Sequence, residues 1–122
     1  MSHFKGRRMI LWVLQILVGV LFILQGYLKL SGKPEVVANF QRWGFQDWSL
    51  TLIGALELLG GIGLLVKRTS RWAASGLVLL MLGAAWTHIS NNEGGAVMMP
   101  LIVLILLSVV VYLRRPKFRR AG

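Results

Sequence analysis

Four long runs dominated by apolar side chains, over residues 9–29, 50–66, 72–89 and 97–113, leave this chain few solvents other than lipid. At a helical rise of about 1.5 Å per residue, roughly 20 residues cross a hydrocarbon core about 30 Å thick, and shorter runs of about 17 still suffice. Composition agrees. Apolar residues make up 56% of the 122 and charged residues only 15%, against about 25% charged in soluble domains. So few charges cannot clothe a soluble surface of this size. The expected fold is therefore an all-α integral membrane protein, a four-helix transmembrane bundle in a single domain spanning residues 1–122.

The first run follows Lys5, Arg7 and Arg8, as the core of a signal peptide would. It is longer than such a core and no small-residue cleavage pattern follows it, so a retained span is expected. Pro100 stands in the first turn of the fourth run, where a missing N–H costs little.

Direction follows from the basic residues. Lys5, Arg7 and Arg8 at the start, Lys67, Arg68 and Arg71 in the second connection, and Arg114, Arg115, Lys117, Arg119 and Arg120 in a basic tail over 114–122 all fall on one side of a four-span path. Only Lys29, Lys33 and Arg42 fall on the other. The positive-inside rule then predicts both termini in the cytoplasm. The long first connection, 31–47, is extracytoplasmic on this reading. Pro34 and Glu35 suit a helix start, and Val36, Val37, Phe40 and Trp43 form one apolar face, so a short interfacial helix is expected there.

A formal net charge of +10 would suggest nucleic acid in a soluble protein. Placed beside apolar spans, the same charges serve anionic lipid headgroups instead, and nucleic acid is not an expected partner. With no cysteine in the chain, disulfides, iron–sulfur ligation and thiolate chemistry are excluded. His88 is the one imidazole within a span, so neither a metal site nor bis-histidine haem within one chain is expected.

Two features point inward. Each of the first three spans carries glycines seven residues apart, Gly19 and Gly26, Gly54 and Gly61, Gly76 and Gly83. Such pairs mark stripes where neighbouring helices can approach closely. The spans also contain polar groups, which in lipid usually face the bundle interior or a wet cavity. These are Gln25 and Lys29 on the first span, Glu57 between Gly54 and Gly61 on the second, and His88 on the third with Asn91 one turn beyond. All lie in the half of the bundle away from the cytoplasm. They predict a ligand pocket opening to that side, with Glu57 at its floor and Lys29 and His88 near its mouth. Gln15 lies deeper, where a hydrogen bond across helices is the expected role.

Several segments resemble the DoxX and DoxX-like family of small four-span bacterial membrane proteins. They are Gln25-Gly26-Tyr27-Leu28-Lys29-Leu30, Phe40-Gln41-Arg42-Trp43-Gly44-Phe45, the stretch Glu57-Leu58-Leu59-Gly60-Gly61, and Ala84-Ala85-Trp86-Thr87-His88. The resemblance runs over roughly residues 9–113. It implies a bacterial inner-membrane protein of a family named for a thiosulfate:quinone oxidoreductase subunit, with Lys29, Glu57 and His88 at the carried-over positions. The short tail leaves no room for a soluble catalytic domain, so activity as an enzyme on its own is not expected.

Two functions of different classes follow as expectations. One is an accessory subunit of a membrane redox system whose pocket binds a quinone or another lipophilic ligand, with no covalent cofactor and a membrane or extracytoplasmic redox partner. The other is a non-catalytic assembly module in which Glu57 fixes helix register. A small homo-oligomeric transporter ranks third.

Overall fold

The computed structural model describes residues 2–115, with side chains from residue 5 onward. Lys117, Arg119 and Arg120 of the expected basic tail lie outside them. Five α-helices and one 3-10 turn follow one another: α1 Ser2–Leu30, α2 Pro34–Arg42, α3 Asp47–Leu64, α4 Lys67–Ser90, the turn Gly94–Val97, and α5 Met98–Leu113. No strand occurs among the described residues. Four segments, Lys5–Leu30, Asp47–Leu64, Lys67–Ser90 and Gly94–Leu113, are long and apolar enough to cross a membrane.

The helix boundaries have local causes. Pro34 occupies the first turn of α2 with Glu35 beside it, where a carboxylate favours the positive end of the helix dipole. α2 stops at Gly44, whose φ of 82° only glycine adopts without strain. There the N–H of Phe45 donates to Phe40 O and that of Gly44 to Gln41 O. This pairing ends a helix and brings the side chains of Phe45 and Phe40 together, their ring centroids 5.5 Å apart. The basic residues expected in the second connection belong instead to a helix. α4 begins at Lys67, so only Leu65 and Val66 connect the spans, and Lys67, Arg68 and Arg71 ring the first turns of α4.

The four long helices form a closed ring in which α1 packs on α3, α3 on α4, α4 on α5, and α5 back on α1, with the α5–α1 seam the thinnest. Glycine sets the tightest seam. A Cβ on Gly26 would stand 2.6 Å from Gly54 O and from Leu58 N, and one on Gly61 would stand 2.6 Å from Gly19 O. Real atoms do not approach so closely, so α1 and α3 touch backbone to backbone along Gly19, Gly26, Gly54 and Gly61. Gly76 and Gly83 do not join a comparable contact. Nothing lies within 4 Å of a Cβ built at either, and Gly83 borders the open cavity described below. The α3–α4 seam uses Gly60 instead, where a Cβ would meet Leu77 at 2.7 Å.

Packing divides the bundle into two halves. Leu11, Leu64, Ala74, Leu77, Leu107 and Val110 are buried at the end where both termini lie, with Phe22, Met81 and Val103 closing the middle. Gln15, fully buried, ties this half together. Its Nε2 donates to Leu64 O at 2.7 Å, a carbonyl left unpaired by the end of α3, and its Oε1 accepts from Arg114 Nε at 2.6 Å. The Arg114 guanidinium lies 5.0 Å from the Trp12 ring centroid, and its partial burial holds its pKa below the usual arginine value. Gln15→Leu strips the partner from the buried Leu64 carbonyl and from the partly buried Arg114 guanidinium, and a buried group left unsatisfied costs about 1–3 kcal/mol. A matching fall in stability, read by thermal unfolding in detergent, is expected for Gln15→Leu and not for a leucine placed at exposed Val13.

Candidate functional site

The other half of the bundle, toward α2, holds a half-open cavity of about 670 Å³. Its walls are mostly apolar: Phe22 of α1, Ile53 of α3, Met81 of α4, Met99 and Val103 of α5. α2 closes it with Val36, Phe40 and Trp43, three of the four residues whose spacing defined the apolar face of that helix. Gln25, Lys29, Glu57 and His88 all line this one space. Asn91 does not. It stands past the end of α4, exposed, and its Nδ2 donates to Thr87 O at 2.8 Å, so it pairs a free carbonyl of the helix end.

Lys29 Nζ lies 2.8 Å from Glu57 Oε1, and both side chains are withdrawn from solvent. The glycine seam explains the placement. Gly26 and Gly54 bring the backbones so close that Lys29 Cβ is in contact range of Gly54 itself, and its ammonium then reaches one turn along α3 to Glu57. The contact is ionic and is not aligned as a hydrogen bond, so Glu57 Oε1 is buried beside a cation without a directed donor.

A second cluster stands at the α2 side of the cavity, on a residue that the reading of the spans did not single out. Glu93, in the connection between α4 and α5, accepts from Arg42 Nη2 at 2.7 Å and from Trp43 Nε1 at 3.2 and 3.3 Å. Its Oε1 also lies 2.7 Å from His88 Nδ1. The Trp43 and His88 rings meet edge to face with centroids 5.4 Å apart. Glu93 thus joins the end of α2 to the end of α4.

Its position follows from how α4 ends. Asn92 takes φ 59°, a left-handed conformation that asparagine tolerates better than most residues. The N–H of Glu93 donates to His88 O at 2.8 Å and that of Asn92 to Ile89 O at 3.2 Å. This is the same terminating pattern as in α2, and it sets residue 93 against residue 88. Here the contact that is usually apolar is a carboxylate and an imidazole. The signal was present in sequence as Asn91-Asn92-Glu93-Gly94, a helix stop followed by an acid.

Three donors gather on Glu93, and they hold its pKa down at about 2, with His88 and then Arg42 the largest causes. The lowered pKa means that this carboxylate stabilises the fold fully above its ordinary value of about 4.5, and that the contribution is lost as pH falls from there toward 2. Amide exchange protection of α2 is therefore expected to hold at pH 5 and to fall between about pH 4.5 and 2. In Glu93→Gln that acid step should be absent.

Among the described residues no group of three or more His, Cys, Asp or Glu could hold a metal ion. What the arrangement offers is a chamber with mostly apolar walls and a few polar side chains among its lining, a common form of site for a lipophilic molecule with a polar head.

Fold and cavity together define a small multi-pass membrane protein. The chain belongs to the DoxX-like family, which matches it over residues 13–110. It is also similar to the uncharacterized protein YdgD of Bacillus subtilis (strain 168), 25% identical over 108 residues that cover 84% of this chain and 95% of that one. No solved structure matches it.

Proposed function

We propose that the chain is a ligand-binding subunit of a bacterial cytoplasmic-membrane redox system, with both termini in the cytoplasm and the cavity open to the opposite side. The ligand on this reading is a lipophilic molecule of quinone type, its apolar body between α1, α4 and α5 and its polar head among Lys29, Glu57, Gln25 and His88. The observation that carries the reading is the convergence of four intramembrane polar residues from three helices on one cavity with apolar walls. Polar groups in lipid are costly, and four of them on one space favour a role beyond packing. The basic residues gathered at the terminal end support the orientation.

Quinone analogues with short isoprenoid tails, added to protein in nanodiscs, are expected to raise its melting temperature and to do so less in Glu57→Gln and His88→Ala. No shift in wild type with ubiquinone or menaquinone analogues counts against the quinone.

The Lys29–Glu57 contact at the tight α1–α3 seam favours a second reading, in which the pair fixes helix register in an assembly module without a ligand. A Glu57→Gln protein that is normally expressed and assembled but fails to complement loss of the wild-type chain in cells rules out that purely architectural role.

A further inference from the structure

Glu93 lies at the edge of the cavity rather than among the intramembrane residues, yet its contacts dictate what one of those residues can offer a ligand. An ionised carboxylate only accepts hydrogen bonds, so the 2.7 Å contact between its Oε1 and His88 Nδ1 requires the hydrogen to sit on Nδ1. A neutral imidazole with Nδ1 protonated carries a lone pair on Nε2. That nitrogen has no hydrogen-bond partner among the described residues, and His88 is part of the cavity wall. The carboxylate cannot readily turn away. Arg42 and the Trp43 indole, which can only donate, hold it from the α2 side.

We infer that Glu93 is the positioning residue of the ligand site: by fixing the Nδ1–H tautomer of His88 it makes Nε2 an acceptor, and the cavity selects lipophilic molecules whose head donates a hydroxyl hydrogen. A phenol or hydroxylated ring fits this description. Its methyl ether and the carbonyl form of the same ring still enter through the apolar body and the other polar side chains, but with no hydrogen to donate to Nε2 they bind more weakly. The inference rests on the reading of the cavity as a ligand site, and goes beyond it by naming the chemistry of the head.

Glu93→Gln makes a sharp test because the amide has one acceptor and one donor end. Arg42 and Trp43 both donate, so they claim the amide oxygen and leave the NH2 facing His88 Nδ1. Nδ1 must then accept, and the hydrogen moves to Nε2. The substitution keeps the size of the side chain while inverting what His88 presents to the cavity.

The tautomer is read directly by 15N NMR of histidine-labelled protein at pH 8, above the ordinary range of histidine titration. The chain has only His3 and His88, so a His3→Gln background leaves one ring to observe. The expected spectrum has a protonated Nδ1 and a bare Nε2, with the two exchanged in Glu93→Gln. Binding is read with 4-octylphenol and its methyl ether, 4-octylanisole, in nanodiscs. The phenol should bind about tenfold tighter than the ether, as one net hydrogen bond allows, and Glu93→Gln should abolish or reverse that preference.

A bare Nδ1 in wild type, or a ring protonated on both nitrogens, overturns the inference without any variant being needed. Equal binding of the two probes beside the expected tautomer overturns the selection by head group. If neither probe binds any form of the protein, the ligand reading fails as well, while the NMR result still reports the tautomer.

Discussion

Gly26→Ala is expected to lower the stability of the bundle by about 1–3 kcal/mol, the usual cost of forcing extra atoms into a packed interior, while Gly83→Ala leaves it unchanged or raises it slightly. The two substitutions are chemically identical and both fall in transmembrane helices. They differ in what the new methyl meets. At Gly26 it would stand 2.6 Å from Gly54 O and Leu58 N. Both are backbone atoms, which cannot retreat by changing rotamer, so α1 and α3 must separate along their whole seam. At Gly83 the methyl meets nothing within 4 Å, and replacing glycine by alanine in a helix favours the folded state by roughly 0.5–1 kcal/mol. Thermal unfolding of both variants in one detergent gives the comparison. Equal losses at the two positions would mean that the α1–α3 contact is not the close seam described here.

That contrast shows where sequence reasoning ran out. The seven-residue spacing is the same in α1, α3 and α4, and spacing identifies a stripe on one helix. It carries no information on which neighbour, if any, covers the stripe. In α1 and α3 the two stripes found each other. In α4 the seam formed on Leu77, which packs against Gly60, a glycine outside the spaced pairs. Contact between helices is a property of two surfaces, and one periodicity describes only one of them.

The spans themselves were legible because lipid imposes a coarse rule on length and polarity that tertiary context seldom overrides. The short helix α2 was legible for a local reason, since Pro34 and Glu35 mark its start and Val36, Val37, Phe40 and Trp43 its apolar face. Lys29, Glu57 and His88 could be picked out because a polar group is conspicuous inside an apolar run. Glu93 was not conspicuous. It stands in a connection among Asn91, Asn92, Gly94 and Gly95, where an acid is ordinary, and its importance comes from Arg42 and Trp43, some fifty residues earlier in the chain. Its one sequence signal is the Asn91-Asn92 pair before it, since asparagine tolerates the left-handed turn that in the structure folds residue 93 back on His88. Asn91 shows the reverse case, a polar residue at the right helical spacing whose backbone had already left the helix, so that it pairs the helix end instead of facing the cavity.

The ion pair in the wall of the cavity yields the second large effect, and its asymmetry carries the information. Lys29→Met is expected to cost about 3–5 kcal/mol, the range for removing one partner of a buried pair. The carboxyl of Glu57 sits on α3 about two turns from the nearer end of that helix, with its side chain 5% exposed, and Lys29 is its one cationic partner among the described residues. Glu57→Gln should cost clearly less. Lys29 occupies the last turn of α1, and a long flexible side chain there can carry its ammonium to the headgroup level once its partner is gone. In Lys29→Met/Glu57→Gln the stranded carboxylate no longer exists, so the double variant should be about as stable as Glu57→Gln alone. The two losses are then strongly non-additive, which a double-mutant cycle measured by unfolding in detergent would register as a coupling of about 2 kcal/mol or more. Additive losses would show that the ion contact contributes little to holding α1 on α3. In that case the glycine seam sets their register by itself, and a stability role for Glu57 gives way to the ligand role.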